Sequence, residues 1–209
     1  MPPSSSRSEP SSASRSISPG RDWPRVLAGV ERGTLLLVGP AGSGKSTLAR
    51  WLVGQLARTL DRVALVDCDP GQTSVGVPGC VGLALTGPWE APAAAWFVGA
   101  TTPARHMLPL VVGAARLADL ARARGAQAVV LDAPGMVDGA AARVLHHHLA
   151  AATGVDQVIA VEPRGGGRGD GDGLDDLLAL LAAPERRVER LAAAAGARDR
   201  DGDERRRHR

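Results

Sequence analysis

The chain has 209 residues, 44% of them hydrophobic, and a formal net charge of +3. This length suits one α/β core with tails and is too short for two full catalytic domains, while the apolar fraction excludes a wholly disordered chain. With two cysteines and no apolar run as long as a membrane span, we expect a cytoplasmic protein without a disulfide scaffold or a membrane segment.

The charge is unevenly distributed along the chain. Ranges 1–21 and 198–209 hold the excess of arginine, and the sequence between them is close to neutral. A broad basic surface for nucleic acid is therefore not expected on the folded part. Lys45 is the only lysine in the sequence, and it lies in a glycine-rich loop.

The element pattern predicts an α/β fold. Residues 1–21 are rich in Ser, Pro and Arg and are expected to be a disordered leader, followed by a folded domain at 22–163. Strands are predicted at 34–38, 62–66, 81–85, 94–98, 128–131 and 157–161, and helices from 46, at 109–124 and at 139–152. This alternation indicates a doubly wound, mostly parallel sheet with helices on both faces.

The C-terminal part is shorter and more polar. A glycine-rich linker is predicted at 164–173 and a short helix at 174–183. Residues 185–191 are a candidate edge strand, and the segment 174–209 ends in an arginine-rich lid or tail.

A phosphate-binding motif follows the first strand. Residues 39–46 read GPAGSGKS and fit G-x-x-x-x-G-K-[ST] between a predicted strand and a predicted helix. Backbone N–H groups of such a loop cradle phosphates, the lysine reaches the β- and γ-phosphates and the serine hydroxyl binds Mg²⁺. We therefore predict a P-loop NTPase that binds ATP and Mg²⁺. The candidate nucleotide-binding residues are Gly39, Pro40, Ala41, Gly42, Ser43, Gly44, Lys45, Ser46 and Thr47.

Acidic residues follow two later strands. One run is DCDPGQ, which contains Asp67, Asp69 and Gln72, and the other is DAPG, which begins at Asp132. Ligands of open α/β sheets lie at the carboxyl ends of the strands, where an acid can hold Mg²⁺ or accept a proton. A simple turn cap at Pro70 is the alternative for a single aspartate.

The D-x-x-G run at Asp132 also occurs in regulatory GTPases. Those proteins select guanine with N-K-x-D, but this sequence contains no Asn and its one lysine belongs to the phosphate loop. A GTP switch is therefore not expected.

Together these runs resemble the polynucleotide 5′-hydroxyl kinases, a family that includes RNA kinases associated with mRNA cleavage, tRNA splicing and pre-rRNA processing. The resemblance is carried by GPAGSGKSTLA (39–49), VDCDPGQTSVGVPG (66–79), FVGATTPARHMLPLVVG (97–113) and VVLDAPGMVDG (129–139). It spans about residues 23–163 and suggests a short, prokaryotic-like version of the family.

The resemblance implies transfer of the ATP γ-phosphoryl group to the 5′-hydroxyl of RNA or DNA. It implies that Lys45 acts on the transferred phosphate and that Ser46, Asp67 and Asp132 hold Mg²⁺. Asp69 would be the base at the acceptor hydroxyl, although the order of Asp67 and Asp69 stays open. Gln72 would then lie near metal-bound water or substrate, and Thr101 and Thr102 match a Thr-Pro element of the family.

The family also carries arginines in a C-terminal lid. Arg200 and Arg205 fit that spacing loosely, with Arg209 beyond them, and a charged disordered tail is the alternative. Because family members normally continue further, we expect a short or truncated lid.

Two functions from other classes remain open at this point: a regulatory or assembly ATPase acting on a protein partner, and a nucleotide-binding remnant without transfer activity. Several further features are interpreted as structural. His146, His147 and His148 are read as a solvated helix face, Cys68 as a packing residue, and the DGDG run at 170–173 as linker. For Trp89 and Trp96, packing is favoured over stacking on a nucleobase.

Overall fold

The computed structural model describes residues 19–30, 32–86, 92–162 and 171–193. The strands are β1 Gly33–Val38, β2 Val63–Asp67, β3 Cys80–Leu85, β4 Ala94–Phe97, β5 Ala128–Asp132, β6 Gln157–Glu162 and β7 Arg187–Ala192. The helices are α1 Trp23–Ala28, α2 Lys45–Leu56, α3 Met107–Ala123, α4 Gly139–Thr153 and α5 Gly171–Leu181, with a single 3₁₀ turn at Pro103–Arg105.

The strands form one sheet in the order β4-β3-β2-β5-β1-β6-β7. All neighbouring pairs are parallel except those of β3, which runs antiparallel to β2 and to β4. Strand β1 lies between β5 and β6 and is apolar over almost its whole length. Such continuous apolar runs are typical of parallel strands buried on both faces.

Helices cover both faces of this sheet, as predicted for a doubly wound fold. On one face, Leu36 and Val38 pack in a cluster with buried residues of α3, α4 and α5. On the other face, Leu35 and Leu37 pack in a second cluster with α1 and α2. The α/β P-loop architecture expected from the sequence is confirmed.

Several boundaries differ slightly from the prediction. Helix α3 starts two residues before Pro109, which still lies in its first turn, and Gly125 with φ +83° follows its end. The candidate edge strand is β7, which pairs in parallel with β6. Helix α5 begins inside the predicted linker, where Gly173 packs so closely that a Cβ would lie 1.7 Å from Asp138 Oδ1.

The described helices include none that is long and apolar enough to cross a membrane. The leader up to residue 18, linker residues 163–170, Trp89, Arg200 and Arg205 lie outside the described residues.

Candidate nucleotide and acceptor site

The phosphate-binding loop runs from the carboxyl end of β1 to the first turn of α2. Its first glycine, Gly39, has φ +148°, and a Cβ at this position would lie 2.3 Å from the carbonyl oxygen of Val161 in β6. Glycine is therefore required for the loop to pass this close to the neighbouring strand. The positive end of the α2 dipole faces the loop, which favours an anion there.

Lys45 is the only cation of this loop, and its side chain is buried. Its Nζ donates a hydrogen bond of 2.9 Å to the carbonyl oxygen of Pro40 in the same loop. Burial lowers the pKa of Lys45, while the charges of Asp132 and Asp69 oppose the shift. The ammonium group therefore lies against the loop, and the negative charges of one aspartate from each acidic run attract it.

Asp132 ends β5, and the sheet register places it beside Leu37 of β1 and Asp67 of β2. Burial and the neighbouring Asp67 raise the pKa of Asp132 to about 7, against a hydrogen bond from Ser46 and the charge of Lys45. Its Oδ1 is buried and makes no hydrogen bond within the described chain. A buried carboxyl oxygen without a partner, beside the P-loop serine, has the chemistry of a cation ligand.

Asp67 ends β2 and organises the loop that follows it. Its Oδ1 accepts a hydrogen bond from the Asp69 backbone N–H at 3.0 Å. Its Oδ2 accepts from the Thr73 hydroxyl at 3.3 Å, from the Val75 N–H at 3.2 Å and from the Ser74 N–H. Burial raises the pKa of Asp67, and these backbone hydrogen bonds oppose the rise. Both carboxyl oxygens are therefore engaged by the protein.

Asp69, two residues later, has a different environment. Its Oδ1 accepts hydrogen bonds from the backbone N–H groups of Gly71 at 2.9 Å and Gln72 at 3.1 Å. Its Oδ2 accepts none from the described residues, and the side chain is partly exposed. Gln72 itself is exposed. Of the two acids in this run, Asp69 is the one with an oxygen available to a ligand.

The segment that follows β4 is joined to this acidic loop. The carbonyl oxygen of Gly79 accepts hydrogen bonds from the N–H groups of Val98 at 2.9 Å and Gly99 at 3.2 Å. Farther along, a Cβ on Gly71 would lie 2.4 Å from the carbonyl oxygen of Thr101. The Thr-Pro element predicted from the sequence therefore lies against the acidic loop, with Thr102 exposed.

The turn after Asp132 packs directly on the phosphate-binding loop. A Cβ on Gly135 would lie 2.8 to 2.9 Å from backbone and side-chain atoms of Ala41. The two loops are therefore close enough to exclude any larger residue at this position. A ligand that displaces one of these loops would therefore also displace the other.

His146 lies beside this turn, and the prediction of a solvated histidine face was wrong for His146 and is confirmed for His147 and His148. His146 is fully buried, whereas its neighbours His147 and His148 are exposed, because successive helix positions point in different directions. Its Nδ1 lies 2.9 Å from the Ala142 carbonyl oxygen. Burial lowers the pKa of His146 to about 4, while the Ala142 and Pro134 carbonyls oppose the shift. The helical spacing of the sequence could have separated it from its two neighbours, because His146 lies four residues after Ala142 and three before Leu149 on the buried stripe of the helix.

Other side chains behave as expected. Cys68 is buried, and burial together with the nearby acids raises the pKa of its thiol well above its usual value. Trp96 packs over Gly113 of α3, where a Cβ would lie 2.4 Å from its ring. In the described parts of the chain, no three His, Cys, Asp or Glu side chains converge as a metal-ligand set.

A family model described as "mRNA cleavage and polyadenylation factor CLP1 P-loop" matches residues 39–209. The polyribonucleotide 5′-hydroxyl-kinase of Thermococcus kodakarensis is 38% identical over 117 residues, which are 53% of this chain and 33% of that protein. The protein of the same name from Pyrococcus furiosus is 26% identical over 188 residues, which are 87% of this chain and 50% of that protein.

Among solved structures, a wild-type Clp1p–Pcf11p complex matches with a TM-score of 0.64 at 14% identity, covering 88% of this chain and 49% of the matched chain. This likeness supports the fold. The chain spans half or less of the length of these relatives. Because the family model covers most of the chain, from the phosphate-binding loop onward, the protein belongs to the CLP1 P-loop family.

Proposed function

We propose that the protein is an ATP-dependent polynucleotide 5′-hydroxyl kinase. The observation that carries this proposal is Oδ2 of Asp69, which accepts no hydrogen bond from the described residues, lies close enough to the P-loop lysine for its charge to act on it, and belongs to a loop hydrogen-bonded to Asp67. A hydrolase would need only to position water, whereas an available carboxylate on a supported loop suits an acceptor hydroxyl. The names of the archaeal relatives support the same reaction.

Magnesium fits the residues that surround the phosphate-binding loop. Ser46 offers a hydroxyl, and Asp132 offers a buried oxygen that lacks a partner. Mg²⁺ commonly takes one or two protein oxygens together with phosphate oxygens and water, so the lack of a larger ligand set among the described residues agrees with it. When bound, the ion would neutralise charge that develops on the phosphates.

The residue roles follow from the geometry. Lys45 would release the Pro40 carbonyl and contact the β- and γ-phosphates. The 5′ oxygen of the acceptor attacks the γ-phosphorus, the bond from that phosphorus to the β–γ bridging oxygen breaks, and ADP leaves. Asp69 Oδ2 accepts the proton of the acceptor hydroxyl and afterwards loses it to solvent. Gln72, whose side chain is exposed next to Asp69, would orient the acceptor or a water molecule.

We assign Asp67 to the support of this loop, since the four hydrogen bonds that it accepts occupy both of its oxygens. Its expected role as a metal ligand would need those bonds to open. Arg200 and Arg205 remain the predicted lid, and the cytoplasmic setting remains a prediction.

The test is transfer from γ-labelled ATP to a 5′-hydroxyl RNA oligonucleotide and to its DNA counterpart. We expect label on the 5′ end of at least one strand and at least about 10²- to 10³-fold less with Lys45→Ala, the loss typical when one preorganised donor to the transition state is removed. Arg58→Ala, which removes an exposed cation near the end of α2, is the matched control and should keep the activity. Release of free phosphate without labelled strand would instead indicate a regulatory or assembly ATPase. ATP binding with neither product would indicate a remnant.

A further inference from the structure

Phe97 is the most exposed of the large apolar side chains in the described residues, with 77% of its surface accessible. It is also the only phenylalanine of the sequence. It ends β4, the outermost strand on its side of the sheet. Burial alone therefore gives no reason for an aromatic ring at this position.

Phe97 and its neighbour Trp96 point to opposite faces of the strand. Trp96 is in register with Val81, which packs in the α3 cluster, and the Trp96 ring covers Gly113 of α3. Phe97 is in register with Cys80 and therefore faces the other way. On that face, helix α2 contacts β1, β2 and β5, and α3, the helix that contacts β4, lies on the opposite face.

The sheet register relates Phe97 to Asp67, which ends β2 two residues before Asp69. Asp67 pairs with Gly82, and Gly82 pairs with Ala95, so these three residues form a row across β2, β3 and β4. Strands β2 and β4 run in the same direction. Asp69 and Phe97 each follow that row by two residues, and two strand spacings of roughly 10 Å separate their strands.

Backbone contacts join the two positions into one surface. The Gly79 N–H donates to the Pro70 carbonyl at 2.9 Å, and the Gly79 carbonyl accepts from Val98 and Gly99. The ring of Phe97 lies over Gly99, where a Cβ would be 3.5 Å from the ring edge. Phe97 therefore lies in a segment that is hydrogen-bonded to the acidic loop through Gly79.

The direction of the acceptor follows from the sheet order. The phosphate-binding loop is at β1, and the order continues through β5 and β2 to β3 and β4. An acceptor whose 5′-hydroxyl lies at Asp69 avoids the triphosphate if it extends toward β4.

The geometry points to Phe97 as a stacking platform for one of the first two bases of the acceptor strand. This inference rests on the proposed kinase function and makes it more specific. An aromatic ring stacks on any base, so it predicts binding of single strands with little dependence on sequence. Arg105, which is exposed in the 3₁₀ turn beyond Thr102, is the nearby cation of this segment for a phosphate.

The test compares Phe97→Leu and Phe97→Trp with the wild type on matched short adenosine strands. One strand is complete, and the others lack the base at the first or the second nucleotide. With the complete strand, Phe97→Leu should raise the KM for the oligonucleotide about 5- to 150-fold, the range of one lost base–aromatic stack, while the KM for ATP and the melting temperature stay unchanged. Phe97→Trp should restore the affinity. Leu180→Ala, which truncates an exposed side chain on α5, is the control.

The strands that lack a base decide between stacking and a general surface effect. Removal of the stacked base should weaken binding to the wild type and to Phe97→Trp, and should cause no further loss in Phe97→Leu. An unchanged KM in Phe97→Leu, or equal losses from base removal in all three proteins, would overturn the inference and leave the kinase function standing. If the wild type labels no strand at all, both the kinase function and this inference fail.

Discussion

The two sides of the candidate site are built in different ways. On the nucleotide side, Gly39 lets the loop that contains Lys45 pass close to Val161, and Gly135 of the neighbouring turn packs on Ala41 of that loop. The groups that this loop offers to a phosphate are mostly backbone N–H groups and one ammonium. On the acceptor side, a longer loop is held by the carboxylate of Asp67, and Asp69 lies partly exposed within it. The nucleotide side is fixed by close backbone packing, whereas the acceptor side depends on the hydrogen bonds of one buried side chain.

This difference predicts that neighbouring aspartates have separable roles. Asp69→Asn should lower transfer about 10²- to 10⁴-fold, because an amide cannot accept the proton of the acceptor hydroxyl. ATP affinity and the free energy of unfolding should hardly change, since the amide oxygen still accepts the Gly71 and Gln72 N–H groups. Single-turnover transfer and ATP titration measure the two effects separately. Transfer at the wild-type rate would remove Asp69 from the role of base.

On the nucleotide side of the site, the turn after Asp132 lies beside the buried His146. His146 keeps a pKa of about 4 in the folded protein against its usual 6.5, because burial disfavours its charged form. A depressed histidine pKa contributes stability that is full above pH 6.5 and is lost as the pH falls toward 4. Between pH 7 and pH 4, wild type should therefore lose about 3 kcal/mol of stability from this group, and His146→Gln should not. The free energy of unfolding of His146→Gln minus that of wild type should rise by this amount as the pH falls from 7 to 4.

Wild type must be compared with His146→Gln because protonation of Asp132 changes the free energy of unfolding in the opposite direction. Its pKa is raised to about 7, so the folded state holds a proton that the unfolded state has lost, and stability from this group increases as the pH falls from 7. Denaturant titrations of both proteins at each pH remove this shared contribution. Parallel pH profiles for wild type and His146→Gln would show that the imidazole is not held neutral by burial.

The contrast also explains what could be predicted from the sequence. The phosphate-binding loop was predictable from its motif at 39–46. The strands were predictable because parallel strands buried on both faces appear as continuous apolar runs, such as 34–38 and 128–131. The buried His146 was missed although it lies on the apolar stripe of its helix, because a polar residue type was weighed above the helical spacing. Nor did the sequence distinguish Asp67 from Asp69, since their hydrogen-bond partners lie in a loop whose path follows no periodic pattern.

The smallest effect is expected for Thr73, whose hydroxyl contacts the Asp67 carboxylate that holds the acceptor loop. The Thr73 hydroxyl has one proton to donate and lies within hydrogen-bond distance of two acceptors, the Val75 carbonyl oxygen at 3.0 Å and Asp67 Oδ2 at 3.3 Å, and it accepts a hydrogen bond from the Val75 N–H. Thr73→Val keeps the shape but removes these bonds and should lower the free energy of unfolding by about 1 kcal/mol. Thr73→Ser keeps the hydroxyl and is the matched control.

Because the acidic loop positions the acceptor and not the nucleotide in the proposed reaction, Thr73→Val should raise the KM for the oligonucleotide more than the KM for ATP. Equal changes in the two KM values would mean that the loop also supports the phosphate-binding side, and the separation between the two sides would then be lost.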